Sequence, residues 1–131
     1  MVAGVSFFDS FALIARIQKA LPFTSLERLE KHYRMTRKEL LSMISVSAQT
    51  ARRRQSEGKM SIHEGERIVR YARLLDLTLG LMEGNKDGAL RWLATPALGL
   101  GGQTPLNFAI TGFGAQQVEK IIGQIEHGVV I

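Results

Sequence analysis

The apolar residues of this 131-residue chain recur mainly at intervals of three and four, which is the spacing of one helix face. The clearest stripe runs from Ser61 to about Glu83 and predicts the longest helix of the protein. The positions expected to face inward are Ile62, Ile68, Val69, Ala72, Leu75, Leu79 and Met82, with Leu74, Leu77 and Leu81 widening the stripe. A stripe this wide indicates more than one packing neighbour, within the chain or in a dimer.

Helix start signals of one kind occur three times. In each, a hydroxyl residue is followed three positions later by a glutamate, so that both side chains satisfy backbone amides at the helix start. The three signals are Thr24-Ser25-Leu26-Glu27, Thr36-Arg37-Lys38-Glu39 and Ser61-Ile62-His63-Glu64. An earlier stripe at residues 9–20 predicts a packing helix that Pro22 ends. Because no alternating, strand-like run occurs, the sequence predicts an all-α protein.

Short helices and a glycine-bearing loop are predicted after the long helix. The expected elements are a turn at residues 84–87, a helix at 87–94, an irregular stretch at 96–102, a helix at 105–110 and a final helix from 111 to about 128. Trp92, the only tryptophan, is expected to point inward as a large apolar anchor. Pro105 suits the first position of its helix, and Thr111 is expected to cap the last one.

Two short helices separated by a tight turn are predicted between residues 36 and about 56. The first covers residues 36–44, the turn is Ser45-Val46-Ser47, and Ser47 caps a second helix at residues 48–55. Leu40, Leu41, Ile44 and Val46 are expected to face the core. This helix, short turn and helix form a predicted helix-turn-helix, an arrangement that suits a second helix entering the major groove of DNA. Such a turn needs a left-handed residue, which at Ser45 costs on the order of 1 kcal/mol relative to glycine.

The second helix of this motif carries residue types that bind DNA. Amide and guanidinium groups read base edges, and arginines also bind phosphates. The expected DNA-binding residues are Ser47, Gln49, Thr50, Arg52, Arg53 and Arg54. A solvated helix face is the alternative explanation of the three arginines.

Charge is divided unevenly along the chain. Residues 1–75 contain 14 Lys or Arg and 7 Asp or Glu, whereas residues 76–131 contain 3 and 5. This division indicates two surfaces with two partners, although helices that merely carry solvated charges would show it too. It predicts a DNA-binding half at residues 1–75, joined by the long helix to a second domain at residues 76–131.

Nothing in the sequence predicts catalysis, a metal site or a cofactor. The chain has no cysteine, and His32, His63 and His127 are far apart without another ligand at metal-binding spacing. Gly99-Leu100-Gly101-Gly102 lacks the spacing of a phosphate-binding loop and is better explained as a turn. Without a signal peptide or an apolar run of roughly 20 residues, the protein is expected to be cytoplasmic and independent of membranes.

Several ordered motifs of the last third of the chain resemble one protein family. They are Trp92-Leu93 with Pro96, the run Leu100-Gly101-Gly102-Gln103-Thr104-Pro105-Leu106, Gly114-Ala115 with Val118-Glu119, and Ile125-Glu126-His127-Gly128-Val129. In this order and spacing they resemble the toxin-binding domain of the Xre/MbcA/ParS antitoxins. The predicted helix-turn-helix likewise resembles the Xre type.

The resemblance implies two partners, a RES-type toxin that acts on NAD and promoter DNA. In this family the C-terminal domain covers the toxin, and the chain end reaches the toxin's NAD pocket. The residues it implies for toxin binding are Trp92, Glu126, His127, Gly128, Val129, Val130 and Ile131. An apolar end would exclude substrate by occupying the pocket. The alternative is that Ile125 and Val129 pack on the protein's own core.

The predicted function is therefore that of an antitoxin, not an enzyme. It would neutralise a RES-type toxin that degrades NAD or transfers ADP-ribose, and it would bind its own promoter as a homodimer. The alternative is a stand-alone helix-turn-helix transcriptional regulator without a toxin partner. A toxin gene beside that of the chain would distinguish the two.

Overall fold

The computed structural model describes residues 18–128, and this part of the chain consists of helices, turns and loops without a β-strand. The α-helices are α1 (Thr24–Tyr33), α2 (Arg37–Ile44), α3 (Ala48–Glu57), α4 (Ile62–Leu81), α5 (Lys86–Leu93), α6 (Pro105–Phe108) and α7 (Gly112–Glu126). One 3₁₀ turn, Leu98–Leu100, lies in the stretch predicted to be irregular. The all-α prediction is confirmed, while the helix predicted at residues 9–20 lies outside the described residues except for its last three positions.

The chain forms two compact units that divide between Arg73 and Leu74, within α4. The first unit contains α1, α2, α3 and the first part of α4. Its core side chains are those of Leu21, Phe23, Leu26, Leu29, Tyr33, Leu40, Leu41, Ile44, Val46, Ala51, Met60, Ile68, Val69, Tyr71 and Ala72. The predicted inward positions of α2 and of the turn after it are therefore confirmed.

The start of α1 differs from its prediction. Thr24 is the first helical residue and does not cap the helix, because Phe23 occupies the cap position and no side chain caps it. The backbone before α1 is instead held by an isolated antiparallel bridge between Pro22 and Lys59. The amide of Phe23 donates to the carbonyl of Gly58 at 3.0 Å, and the amide of Met60 donates to that of Leu21 at 2.8 Å. Long-range pairing thus replaces the local cap that the sequence suggested.

The other two start signals form as predicted. At α2, Thr36 and Glu39 each accept a hydrogen bond from the other's backbone amide. At α4, Ser61 and Glu64 do the same, with the amide of Ser61 donating to Oε1 of Glu64 at 2.7 Å. The helix runs to Leu81, two residues short of the predicted end, and Ile62 is 44% exposed rather than in the core. Ile62 is the first residue of α4, so no earlier turn of the helix lies beside its side chain.

Tyr33 joins α1 to α4 in the first unit. Its hydroxyl donates to the carbonyl of Tyr71 at 2.7 Å, and the two rings meet edge to face with centroids 6.4 Å apart. Burial raises the pKa of Tyr71 to about 12, so its phenol stays neutral. Arg37, at the start of α2, pairs with Glu30 of α1 and lies 5.3 Å from the ring centre of Phe23. These contacts fix the helices around the core.

The second unit is built from the end of α4 together with α5, α6 and α7. Its fully or nearly buried apolar side chains are Leu74, Leu75, Ala89, Leu93, Leu100, Ala109, Ala115, Val118 and Ile122. Asn85, Thr104 and Thr111 cap the starts of α5, α6 and α7, so the predicted cap at Thr111 is confirmed. Trp92, predicted to point inward, is partly exposed rather than fully buried, while Ala89 and Leu93 are the buried residues of α5.

Candidate functional sites

The first candidate site is the helix-turn-helix formed by α2, the turn at Ser45–Ser47 and α3. Ser45 adopts the left-handed conformation that the turn requires, with φ 58° and ψ 48°. The amides of Ser45 and Val46 donate to the carbonyls of Ser42 and Leu41, and the side chain of Val46 is buried. The predicted motif is therefore present, and serine serves where glycine is usual.

Most of the predicted DNA-binding side chains, which lie on α3 and its cap, are exposed to solvent. Ser47 caps the helix by accepting from the amide of Thr50 at 3.1 Å, and its hydroxyl also bonds that of Thr50 at 3.0 Å. Gln49, Arg52 and Arg53 are exposed, while Ala51 is buried and anchors the opposite face. Within residues 18–128, neither Arg52 nor Arg53 forms an ion pair.

Arg54 differs from Arg52 and Arg53 because its guanidinium group is hydrogen-bonded to two glutamates of the same chain. Its Nε and Nη2 donate to the two carboxylate oxygens of Glu64 at 2.8 and 3.2 Å, and its Nη1 donates to Glu57 at 3.1 Å. Burial by itself raises the pKa of Glu64, but hydrogen bonds from Arg54 and Ser61 outweigh that effect and lower it overall. Both groups stay charged at neutral pH, and the pair joins the end of α3 to the start of α4.

Arg67 on α4 binds the turn in the middle of the motif. Its Nη1 donates to the carbonyl of Ile44 at 3.0 Å and to that of Ser45 at 3.3 Å. These carbonyls terminate α2, where a cation satisfies unpaired acceptors and interacts favourably with the helix dipole. Sequence reasoning missed this role, because nothing local links Arg67 to a turn more than 20 residues earlier. Arg67 therefore attaches α4 to the turn before the recognition helix, and Glu64 attaches α4 to Arg54 on that helix.

The second candidate site is a groove beside Trp92. It has a volume of about 360 Å³ and is lined by Met82, Asn85, Gly88, Arg91, Trp92 and Thr95. Gly88, Arg91 and Trp92 belong to α5, and Met82, Asn85 and Thr95 lie on either side of it in the chain. Trp92 is partly exposed in this groove, and tryptophan, arginine and methionine are residue types enriched in protein interfaces.

Three further apolar residues of the second unit lie in solvent, and sequence reasoning did not single them out. Leu98 is 98% exposed, Phe113 71% and Ile110 45%. For Phe113 a signal existed, since α7 buries Ala115, Val118 and Ile122, and a residue two positions before that stripe points to the opposite side. For Leu98 there was none, because a 3₁₀ turn in a loop gives no usable period.

The predicted tail residues are only partly described. Glu126, His127 and Gly128 are exposed, and Nδ1 of His127 lies 2.7 Å from the carbonyl of Gly123. Ile125, which the alternative placed on the protein's own core, is 37% exposed. Val129, Val130 and Ile131 lie outside the described residues.

Other kinds of site were sought in the same part of the chain. Over residues 18–128, no group of three or more His, Asp or Glu side chains is arranged to hold a metal ion. No helix in that range combines the length and the apolar character needed to cross a membrane.

A helix-turn-helix followed by a second small helical unit is the architecture of a DNA-binding protein with an additional domain. Comparison with known families gives the same division. Residues 12–73 match the antitoxin Xre-like helix-turn-helix domain, and residues 74–128 match the antitoxin Xre/MbcA/ParS C-terminal toxin-binding domain.

Two relatives extend this match. A protein named Antitoxin Xre from Photorhabdus laumondii subsp. laumondii is 34% identical over 119 residues, which cover 90% of this chain and 80% of the relative. Another Antitoxin Xre, from Yersinia enterocolitica serotype O:8 / biotype 1B, is 40% identical over 83 residues, covering 63% of this chain and 56% of the relative. The chain belongs to the Xre antitoxin family. Its relatives are named as antitoxins, which confirms the prediction that this chain is an antitoxin and not an enzyme.

Proposed function

We propose that this chain is the antitoxin of a type II toxin–antitoxin system. It binds and neutralises a RES-type toxin that consumes NAD or transfers ADP-ribose, and as a homodimer it binds the promoter of its own operon. The observation that carries the proposal is the match of residues 12–73 to the Xre-like helix-turn-helix domain and of residues 74–128 to the toxin-binding domain of Xre/MbcA/ParS antitoxins. Action on promoter DNA also favours the cytoplasm as its location.

DNA binding is assigned to the exposed face of α3. Gln49, Arg52 and Arg53 are exposed there, and Ser47 and Thr50 form the capped helix start. A helix N-terminus and nearby guanidinium groups favour phosphate, while an amide side chain reads bases. Arg54 has a different role in this proposal, because its donors already bind Glu64 and Glu57.

Toxin binding is assigned to the second unit, with Trp92 as one contact. Its partial exposure in a groove supports a role at an interface rather than in the core. Inhibition is assigned to the chain end from Glu126 to Ile131. Val129, Val130 and Ile131 are apolar, and an apolar end that enters the toxin's active-site pocket displaces substrate by occupancy.

Expression with the neighbouring gene tests this proposal. The product of the adjacent reading frame, expressed alone, should arrest growth and lower cellular NAD, and co-expression of this chain should restore both. The two proteins should also copurify and shift a fragment of their own promoter. Promoter binding in the absence of any toxic neighbour would favour the stand-alone regulator instead.

A further inference from the structure

Two apolar side chains of the second unit lie further in solvent than any other large apolar residue described at positions 18–128. They are Leu98 and Phe113, which are 98% and 71% exposed, whereas Ile110 is 45%, Ile62 44% and Ile125 37% exposed. Single exposed apolar residues are common on soluble proteins. Leu98 and Phe113 are the most exposed of the set, and the backbone around each is held by hydrogen bonds.

Leu98 lies on a loop closed by its own backbone hydrogen bonds. The amide of Ala97 donates to the carbonyl of Gln103, and the amide of Gly102 donates back to that of Ala97, both at 3.0 Å. Gly101 and Gly102 have φ values of 65° and 82°, which favour glycine. Leu100, two residues from Leu98, is 3% exposed and anchors the loop. The loop therefore holds one leucine in the core and the other in solvent.

Phe113 is fixed by the start of α7. Thr111 caps that helix by accepting from the amide of Gly114 at 3.0 Å, and the backbone of Gly114 lies directly against the carbonyl of Phe108. The side chain of Phe113 projects from this junction between α6 and α7. Its exposure thus follows from a packed helix start and not from a frayed end.

The same stretch of chain connects Leu98 to the Trp92 groove. Thr95 lines that groove, and Leu98 follows it by three residues. Leu98 and Phe113 both fall within residues 74–128, which match a toxin-binding domain. Because the backbone that carries these side chains is already ordered, binding costs little further backbone entropy, which favours them as interface anchors.

We infer that Leu98 and Phe113 are docking anchors for the toxin, inserting into apolar pockets on a folded protein surface. This inference rests on the proposed function, and it assigns toxin docking and toxin inhibition to two different regions of the chain. Leu98 and Phe113, with the Trp92 groove, supply affinity, whereas the chain end supplies inhibition. Docking and inhibition are therefore separable by mutation.

The test uses the full chain and the RES-domain protein encoded beside it, with the toxin produced in a cell-free system. Leu98→Ser and Phe113→Ser are measured singly and together, and Ile62→Ser is the matched control because Ile62 is an exposed apolar residue of the first unit. Each anchor variant should weaken toxin binding about 10-fold or more, and the control should leave it unchanged. Thermal unfolding of Leu98→Ser should match that of the parent, since the side chain packs on almost nothing.

The outcomes are distinct. Anchor variants that bind the toxin as tightly as the parent would overturn the inference and leave the proposed function standing. A changed oligomeric state with unaltered toxin affinity would also overturn it, because the anchors would then join two copies of this chain. If the parent itself does not bind the neighbouring protein, the proposed function fails.

Discussion

Gly114 shows how one residue determines a helix junction. A Cβ built at this position would lie 1.8 Å from the carbonyl oxygen of Phe108, which is far inside van der Waals contact. Only glycine lets the start of α7 approach the end of α6 so closely. Gly123, on the same helix, has no such neighbour within 4 Å. Two glycines of one helix therefore have opposite consequences when replaced.

Gly114→Ala should destabilise the protein by about 1–3 kcal/mol, because the helices must separate to admit the methyl group. Gly123→Ala should stabilise it by up to about 1 kcal/mol, through better helix propensity without a clash. Chemical denaturation of both variants measures the difference. Equal stabilities would show that the close approach does not exist in solution.

At the scale of elements, α4 determines how the recognition helix α3 is held. Arg67 binds the carbonyls that precede α3, and Glu64 binds Arg54 near its C-terminal end. Both residues belong to α4, so this one helix holds the turn before α3 as well as α3 itself. The three consecutive arginines of α3 are divided accordingly, with Arg54 turned toward α4 and Arg52 and Arg53 toward solvent.

The arginines should therefore differ in their effects on DNA binding. Arg52→Ala combined with Arg53→Ala should reduce the slope of log affinity against log salt by about two for each bound protomer, since each phosphate contact contributes roughly one. Arg54→Ala should leave that slope unchanged while lowering the thermal unfolding midpoint. Fluorescence anisotropy of a promoter fragment, titrated at several salt concentrations, measures this slope for each variant. A reduced slope for Arg54→Ala alone would assign it to phosphate instead.

Glu64 should make stability depend on acidic pH. Its pKa is lowered in the folded state, so the stabilisation that its charge provides is complete above the ordinary value of 4.5 and is lost as pH falls through the lower folded value. Glu64→Gln should be less stable than the parent at pH 7, and the difference should shrink on acidification below about pH 4. The pKa of Glu39 is also lowered, but Glu39 is present in both the parent and Glu64→Gln, so its contribution cancels from the difference in stability. A constant difference across this range would exclude the ion pair as its source.

At the scale of the whole molecule, two compact units carry two kinds of surface. The first unit contains the cationic face of α3, and the second contains the Trp92 groove, the exposed apolar anchors and the chain end. Each unit has its own buried side chains, so a change at one surface should leave the other function in place.

Deletion of residues 128–131 should release toxin activity without loss of folding or promoter binding. Gly128, the last described residue, is exposed after the end of α7, so its removal takes nothing from the described core. Growth and NAD content of cells that co-express the toxin with the truncated chain measure inhibition, and copurification measures docking. Growth that remains protected would show that the chain end is dispensable.

The sequence by itself determined the helices and the turn between α2 and α3, because caps, periodicity and glycine or proline positions act over a few neighbouring residues. Capping at Thr36, Ser47, Ser61 and Thr111 was predicted on these grounds and is confirmed. The ordered motifs of the last third also identified the family. Which individual residues bind DNA and toxin stays a prediction.

The tertiary structure alone decided which polar and apolar side chains are engaged within the protein and which are exposed to solvent. It placed Arg54 against Glu64, brought Arg67 to the turn, left Trp92 at the edge of a groove, and began α1 from a bridge to Lys59 rather than from a threonine cap. The hydrogen bonds among these features join residues ten or more positions apart, and the exposure of Trp92 depends on which apolar residues pack in the core. Local sequence patterns cannot predict such features, because they depend on how all the helices pack together.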